Sequence, residues 1–223
     1  MATAAKKGKQ TADQGEKLKE AYMDYLLEHG KTPPSVYQFM NMQKKKEVEF
    51  YDYFNSFTSL EKDIWKGFAE ETITRIQSDA VYMEYSVREK LLAFYYTMVE
   101  VLKNNRSYVM LRVNQLPAPG RRSPSVEVFS RLRETFLEYA NELIAEGKEI
   151  GEIVSRPVIG NRYDEGLWRQ LQFVIQFWIK DDSQNFERTD EAIEKAVNLS
   201  FDIMGRGPID AAVDFAKFLY QQR

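Results

Sequence analysis

The stretch Ser35-Val36-Tyr37-Gln38-Phe39-Met40-Asn41-Met42-Gln43-Lys44-Lys45-Lys46-Glu47-Val48-Glu49-Phe50-Tyr51-Asp52-Tyr53-Phe54 reads as two short helices and the turn between them. Ser35 with Gln38 three residues on forms a capping box, in which side chain and backbone satisfy each other's open donors at a helix start. Val36, Phe39 and Met40 supply that helix's apolar face, Asn41 to Lys44 turns the chain, and Val48, Phe50, Tyr51 and Phe54 build the next helix. Upstream, Leu18, Ala21, Tyr22, Tyr25 and Leu26 follow a 3.6-residue period from Glu16 and stop at Gly30, a residue suited to ending a helix. His29 lies beside that end, where a partial positive charge favours the helix dipole. Downstream, Thr58 and Glu61 read as a second capping box, opening a long helix through Leu60, Ile64 and Phe68 to Ile76. Three short helices, the last two joined by a tight turn, predict a helix-turn-helix arrangement.

The remaining chain also has helical spacing. Ser86 and Glu89 cap a helix through Leu91, Tyr95, Met98, Val99 and Leu102, and residues 106–115 continue helically. Residues 117–124 form a loop with three Pro and one Gly. A helix over 126–146 carries Phe129, Leu132, Phe136 and Leu143 and ends at Gly147. After an irregular segment, Leu167 to Ile179 is apolar almost all round, Thr189 to Met204 is amphipathic, Gly207-Pro208 breaks the chain, and residues 209–220 make a final helix. With no strand pairing and no internal repeat, the fold class is all-α.

Composition narrows the function. The 223 residues carry a formal net charge of −3, so any nucleic-acid contact must come from a local basic cluster. The absence of cysteine excludes disulfides and thiol chemistry, and a single histidine argues against histidine metal sites and histidine-dependent triads. No metal and no cofactor are expected. Nor is an enzyme, since no phosphate-binding glycine loop and no carboxylate pair with an activated partner can be read from the spacing. No apolar run reaches membrane-spanning length and no secretory leader opens the chain, so no membrane contact and a cytoplasmic location are expected. Aromatics make up 13% of the residues, enough to fill a large core or to line a cavity for an apolar ligand.

The run Phe50-Tyr51-Asp52-Tyr53-Phe54, with Gly30, Ser35 and Leu60 at their spacings, resembles the Leu-Tyr-x-His-Phe signature and flanking helices of TetR-family transcription regulators. The segment Gly147-Lys148-Glu149-Ile150-Gly151-Glu152 is similar to the Gly-x-x-x-Gly-Glu turn of that family's ligand domains. Residues 1–13, rich in Ala, Lys, Thr and Gln, read as a basic disordered tail, and the resemblance implies a three-helix DNA-binding domain (14–58) and a larger helical domain (59–223) for ligand binding and dimerisation. It implies a homodimer on double-stranded DNA, acting as a repressor whose DNA affinity answers to a small apolar or amphipathic effector. Where the family has Ala-Gly-Val-Ser, a variable residue and Gly-Thr, this chain has Gln43 to Glu49, without either glycine and with Glu47 and Glu49. Phe57 replaces the family's lysine. A protein that keeps the fold as a ligand-binding or protein-interaction module without reading DNA is the alternative.

The DNA-contacting candidates are Ser35, Tyr37, Lys44, Lys45, Lys46, Tyr51 and Tyr53: cations release counterions at phosphates, and hydroxyls orient the protein on the backbone. Phe94, Tyr95, Met98, Phe136, Tyr139 and Trp168 are candidates for a ligand pocket, with ordinary core as the other reading. Leu171, Ile175, Trp178, Ala192, Ile193, Ala196, Val197 and Ser200 are candidates for the dimer interface. A helix apolar all round needs cover all round, and the small residues at 192, 196 and 200 permit close helix approach. Packing against the final helix of the same chain is the alternative cover.

Overall fold

In the computed structural model, residues 2–115, 127–156 and 160–205 are described, together with Gly207, Phe215, Phe218 and Leu219. Among them the helices are α1 (Ala2–His29), α2 (Val36–Met42), α3 (Val48–Tyr51), α4 (Phe57–Gln77), α5 (Val87–Lys103), α6 (Arg106–Asn114), α7 (Ser130–Ile150), α8 (Tyr163–Lys180) and α9 (Glu187–Met204). Single 3-10 turns lie at Tyr82–Glu84, Gly160–Arg162 and Gln184–Phe186. The described residues contain no strand, as the all-α reading requires. The predicted loop at 117–124 and most of the predicted final helix at 209–220 lie outside the described residues.

The packing divides the chain into two units: residues 1–68 with 105–132, and residues 69–104 with 133–223. A cut at residue 58 follows the sequence order of the helices, whereas the packing groups α6 and the start of α4 with the N-terminal helices. Helix α1 begins at Ala2, ahead of the disordered tail expected through residue 13. The Ala, Lys and Gln that make the segment poor in apolar surface are also strong helix formers.

The first unit is built around rings. Phe39 and Phe50 are fully buried and meet edge-on at 6.4 Å, while Phe57 touches both and stacks on Tyr22 at 5.2 Å. Phe57, the residue that departs from the family's lysine, therefore joins α1, α2 and α3 through one aromatic cluster. Helix α4 starts earlier than the Thr58 box: the Ser56 hydroxyl accepts from the Ser59 N–H at 3.1 Å, making Ser56 the cap. Glu61 is released from capping and lies buried. Tyr22 donates to its Oε1 at 2.5 Å, and Arg112 Nε and Nη2 donate to its Oε2 at 2.9 and 2.6 Å. That network ties α1, α4 and α6 together. Burial and the adjacent carboxylate raise the Tyr22 hydroxyl pKa far above its ordinary value.

In the second unit α9 packs against α5 and α8, and α5 also meets α8. Helix α7 runs to Ile150, beyond the end expected at Gly147, and stops where Gly151 takes a φ of +83°. The Ile153 N–H returns to the Gly147 carbonyl at 2.9 Å, and the Ile153 side chain sits where a Gly147 Cβ would be, within 2.7 Å. Both glycines of the Gly-x-x-x-Gly-Glu turn thus have a physical reason: one supplies a left-handed turn, the other a close approach.

Candidate functional site

The helix-turn-helix is present but short. Ser35 caps α2, its hydroxyl accepting from the Gln38 N–H at 3.1 Å. The turn that a glycine makes in the family is made here by Lys44, at a φ of +55°. A side chain in this left-handed region costs roughly 1 kcal/mol or more relative to glycine. Helix α3 then has only four residues, with Phe50 inward and Val48 and Tyr51 outward.

The acids at this helix start are internally engaged. Glu49 Oε1 accepts from the Lys46 N–H at 2.8 Å and so closes the first turn, and Glu47 Oε1 accepts from the Tyr51 hydroxyl at 3.1 Å. That hydrogen bond, with the charge beside it, raises the Tyr51 pKa. Of the lysine run, Lys44 and Lys46 are exposed, whereas Lys45 donates to Gln14 Oε1 of α1 at 2.5 Å. Tyr37 and Tyr51 are exposed, at 61% and 49%, while Tyr53 is half-buried, its ring 3.5 Å from where a Gly15 Cβ would lie. The seven candidates therefore separate into exposed positions (Ser35, Tyr37, Lys44, Lys46, Tyr51) and two that pin α1 to the turn region (Lys45, Tyr53).

The six pocket candidates form a packed cluster. Phe94, Tyr95, Met98, Phe136, Tyr139 and Trp168 are all buried. Phe94 lies 5.2 Å from Phe136 and stacks on Tyr139 at 5.0 Å, and Phe136 meets Trp168 at 6.1 Å. Both tyrosine hydroxyls among them are satisfied within the unit. Tyr95 donates to Gln170 Oε1 at 2.9 Å, Tyr139 donates to the Lys90 carbonyl at 3.1 Å, and the Tyr82 and Tyr139 hydroxyls pair at 3.0 Å. The ordinary-core reading describes this arrangement, because the rings fill one another's space.

The interface candidates fall on two faces. Leu171, Ile175, Trp178, Ile193 and Val197 are buried within the unit. They are the inner faces of α8 and α9, covered by α5 and by each other. Ala192, Ala196 and Ser200 lie on the outer face, where they line a groove of about 970 Å³. Tyr163, Gly166, Leu167, Phe173 and Phe177 of α8 and Leu199, Ile203 and Met204 of α9 add to its apolar lining, with Arg162, Arg169, Arg188, Glu191 and Lys195 as its charged members. Phe173 and Leu199 are about half exposed or more, at 47% and 60%. The helical signal for this face was available: residues 166, 169, 173 and 177 form one stripe, as do 192, 196, 199, 200 and 203.

The turn between α8 and α9 is held by Asp181. Its carboxylate accepts from the Ser183 N–H and hydroxyl at 2.9 and 2.7 Å, and from the Thr189 N–H and hydroxyl at 2.9 and 2.6 Å. Burial alone would raise its pKa, but these hydrogen bonds outweigh it and hold the group at about 2. Among the described residues no cluster of His, Asp or Glu could hold a metal ion, and no helix is long and apolar enough to cross a membrane.

A TetR-family transcriptional regulator from Syntrophomonas wolfei is 18% identical and superposes with a TM-score of 0.64 over 86% of this chain and 95% of its own. The fatty acid degradation regulator FadR from Bacillus halodurans, also 18% identical, superposes with a TM-score of 0.60 over 84% and 94%. At such identity the likeness speaks for the fold alone. No curated protein matches the chain. The family profile described as the tetracyclin repressor-like C-terminal domain matches residues 90–219, more than half of the chain. Coming from sequence where the superpositions come from shape, that match places the chain in the tetracycline-repressor-like (TetR) family.

Proposed function

We propose that this protein is a homodimeric, DNA-binding transcription repressor whose DNA affinity is lowered by a small apolar or amphipathic effector. The observation that carries the reading is the helix-turn-helix of the first unit, whose outward face holds Ser35, Tyr37, Lys44, Lys46 and Tyr51, in a chain of this family. Glu47 and Glu49, acids beside a surface meant for phosphate, are tied to Tyr51 and to the Lys46 backbone. They shape α3, and two exposed lysines per subunit supply the local positive potential. The dimer forms through the groove of α8 and α9, because it is an apolar face whose small residues allow close approach of a second copy. The effector acts on the second unit, by biasing one of two arrangements of its helices, a coupling typically of ~1–3 kcal/mol.

The test is a fluorescence-anisotropy titration against DNA upstream of the gene and against a scrambled duplex, at low and moderate salt. The expected result is selective binding in which Lys44→Ala and Lys46→Ala each reduce the salt slope by about 2, the value for two phosphates gripped by the two copies of that lysine in the dimer. Equal, weak binding to both duplexes would refute the reading and favour a family member that keeps the fold as a ligand-binding or protein-interaction module.

A further inference from the structure

Alongside its polar residues, the outward surface of α2, the turn and α3 carries four large apolar or aromatic side chains. Tyr37, Met42, Val48 and Tyr51 are about half exposed or more, while Phe39, Met40 and Phe50 between them are fully buried. Val48 is the most exposed of the four, at 63%. It is the first residue of α3, on the same face as Tyr51 three positions later. The two acids beside it are engaged: Glu47 accepts from the Tyr51 hydroxyl and Glu49 accepts from the Lys46 N–H. No Arg, Asn or Gln lies between Lys44 and Asn55, so the planar paired donors of those side chains are absent from α3 itself. Lys44 and Lys46, both exposed, flank Val48 on its N-terminal side, where their charge meets phosphate. What remains at the reading position is a branched aliphatic group. The one apolar feature of the major groove is the thymine 5-methyl group.

We propose that Val48 specifies thymine in each half-site, its isopropyl group packing on the 5-methyl group. The proposal rests on the DNA-binding reading above and names what that site selects. Specificity of this kind comes from removing one methyl group from water on each side. By the cost of burying one methylene it amounts to about 4-fold in affinity per half-site, and roughly 15-fold for two.

The experiment uses the full-length protein and a duplex that it has itself selected from a random library. Each thymine is then replaced in turn by uracil, which lacks only the 5-methyl group. The expected result is one position per half-site at which uracil weakens binding about 4-fold for the native protein and not at all for Val48→Ala, with an unchanged salt slope. Because Val48 is exposed, the variant folds as the native chain does, which circular dichroism checks. If every thymine tolerates uracil, if the selected half-sites hold no thymine, or if uracil sensitivity persists in Val48→Ala, the assignment is overturned while DNA binding stands. If the library yields no enriched sequence, the DNA-binding reading falls with it, and the exposed row becomes a protein-docking face.

Discussion

Replacing Arg112 by Met tests the interior of the first unit directly. Glu61 is 2% exposed and receives three hydrogen bonds, two from the Arg112 guanidinium and one from the Tyr22 hydroxyl. Methionine matches the length of the arginine stem but removes both guanidinium donors, leaving the carboxylate with Tyr22 alone. Each charge-assisted bond contributes roughly 1.5–3 kcal/mol, and breaking a buried pair from one side costs about 3–5 kcal/mol because the remaining charge stays desolvated. Arg112→Met is therefore expected to destabilise the chain by about 3–4 kcal/mol, and Glu61→Leu by a similar amount. The double variant removes both charges together and is expected to fall well short of the sum, by roughly 2 kcal/mol or more, since an apolar pair of similar volume carries no desolvation cost. Urea unfolding followed by circular dichroism, with all four proteins at equal concentration, reads the cycle. Single variants that each cost under about 1 kcal/mol, or a double variant equal to their sum, would refute the claim that α1, α4 and α6 are joined through this carboxylate.

Lys44→Gly relieves a side chain at a φ of +55° and should raise stability by about 1 kcal/mol in the same urea assay. The Asp181 carboxyl has a folded-state pKa of about 2, below its ordinary value of 3.8, so its contribution is complete above about pH 4 and is lost as pH falls from there through 2. Asp181→Asn should lower the melting temperature at about pH 7 and lose most of that difference near pH 2. Phe136→Ala opens a space among Phe94, Tyr95 and Trp168 and should cost about 3–5 kcal/mol in urea unfolding. Leu199→Glu places a charge in the α8–α9 groove at a position 60% exposed in the single chain. Light scattering should then report a folded monomer where the native protein reports a dimer, and an unchanged mass would count against that face.

Sequence alone determined the elements that depend on local chemistry. The 3.6-residue spacing of Leu18, Tyr22 and Leu26, the Ser35 and Ser86 caps and the stop at Gly30 each act within one or two helical turns, and each is present in the structure. The run Phe50 to Phe54 is legible by its resemblance to the family signature, and the structure turns Phe50 and Phe54 inward and Tyr51 outward. Only the tertiary structure decided which apolar face meets which neighbour. Leu171 and Phe173 look alike in sequence, yet α5 and α9 cover the first and leave the second in the outer groove. The same holds for Glu61, which sequence assigns to a cap because Thr58 precedes it by three residues. An arginine 51 positions away, brought beside it by folding, makes it a buried partner. Periodicity reports that a side chain must be covered, but a pairing between residues so far apart in the chain leaves no trace in local spacing, so the identity of the cover belongs to the packed chain.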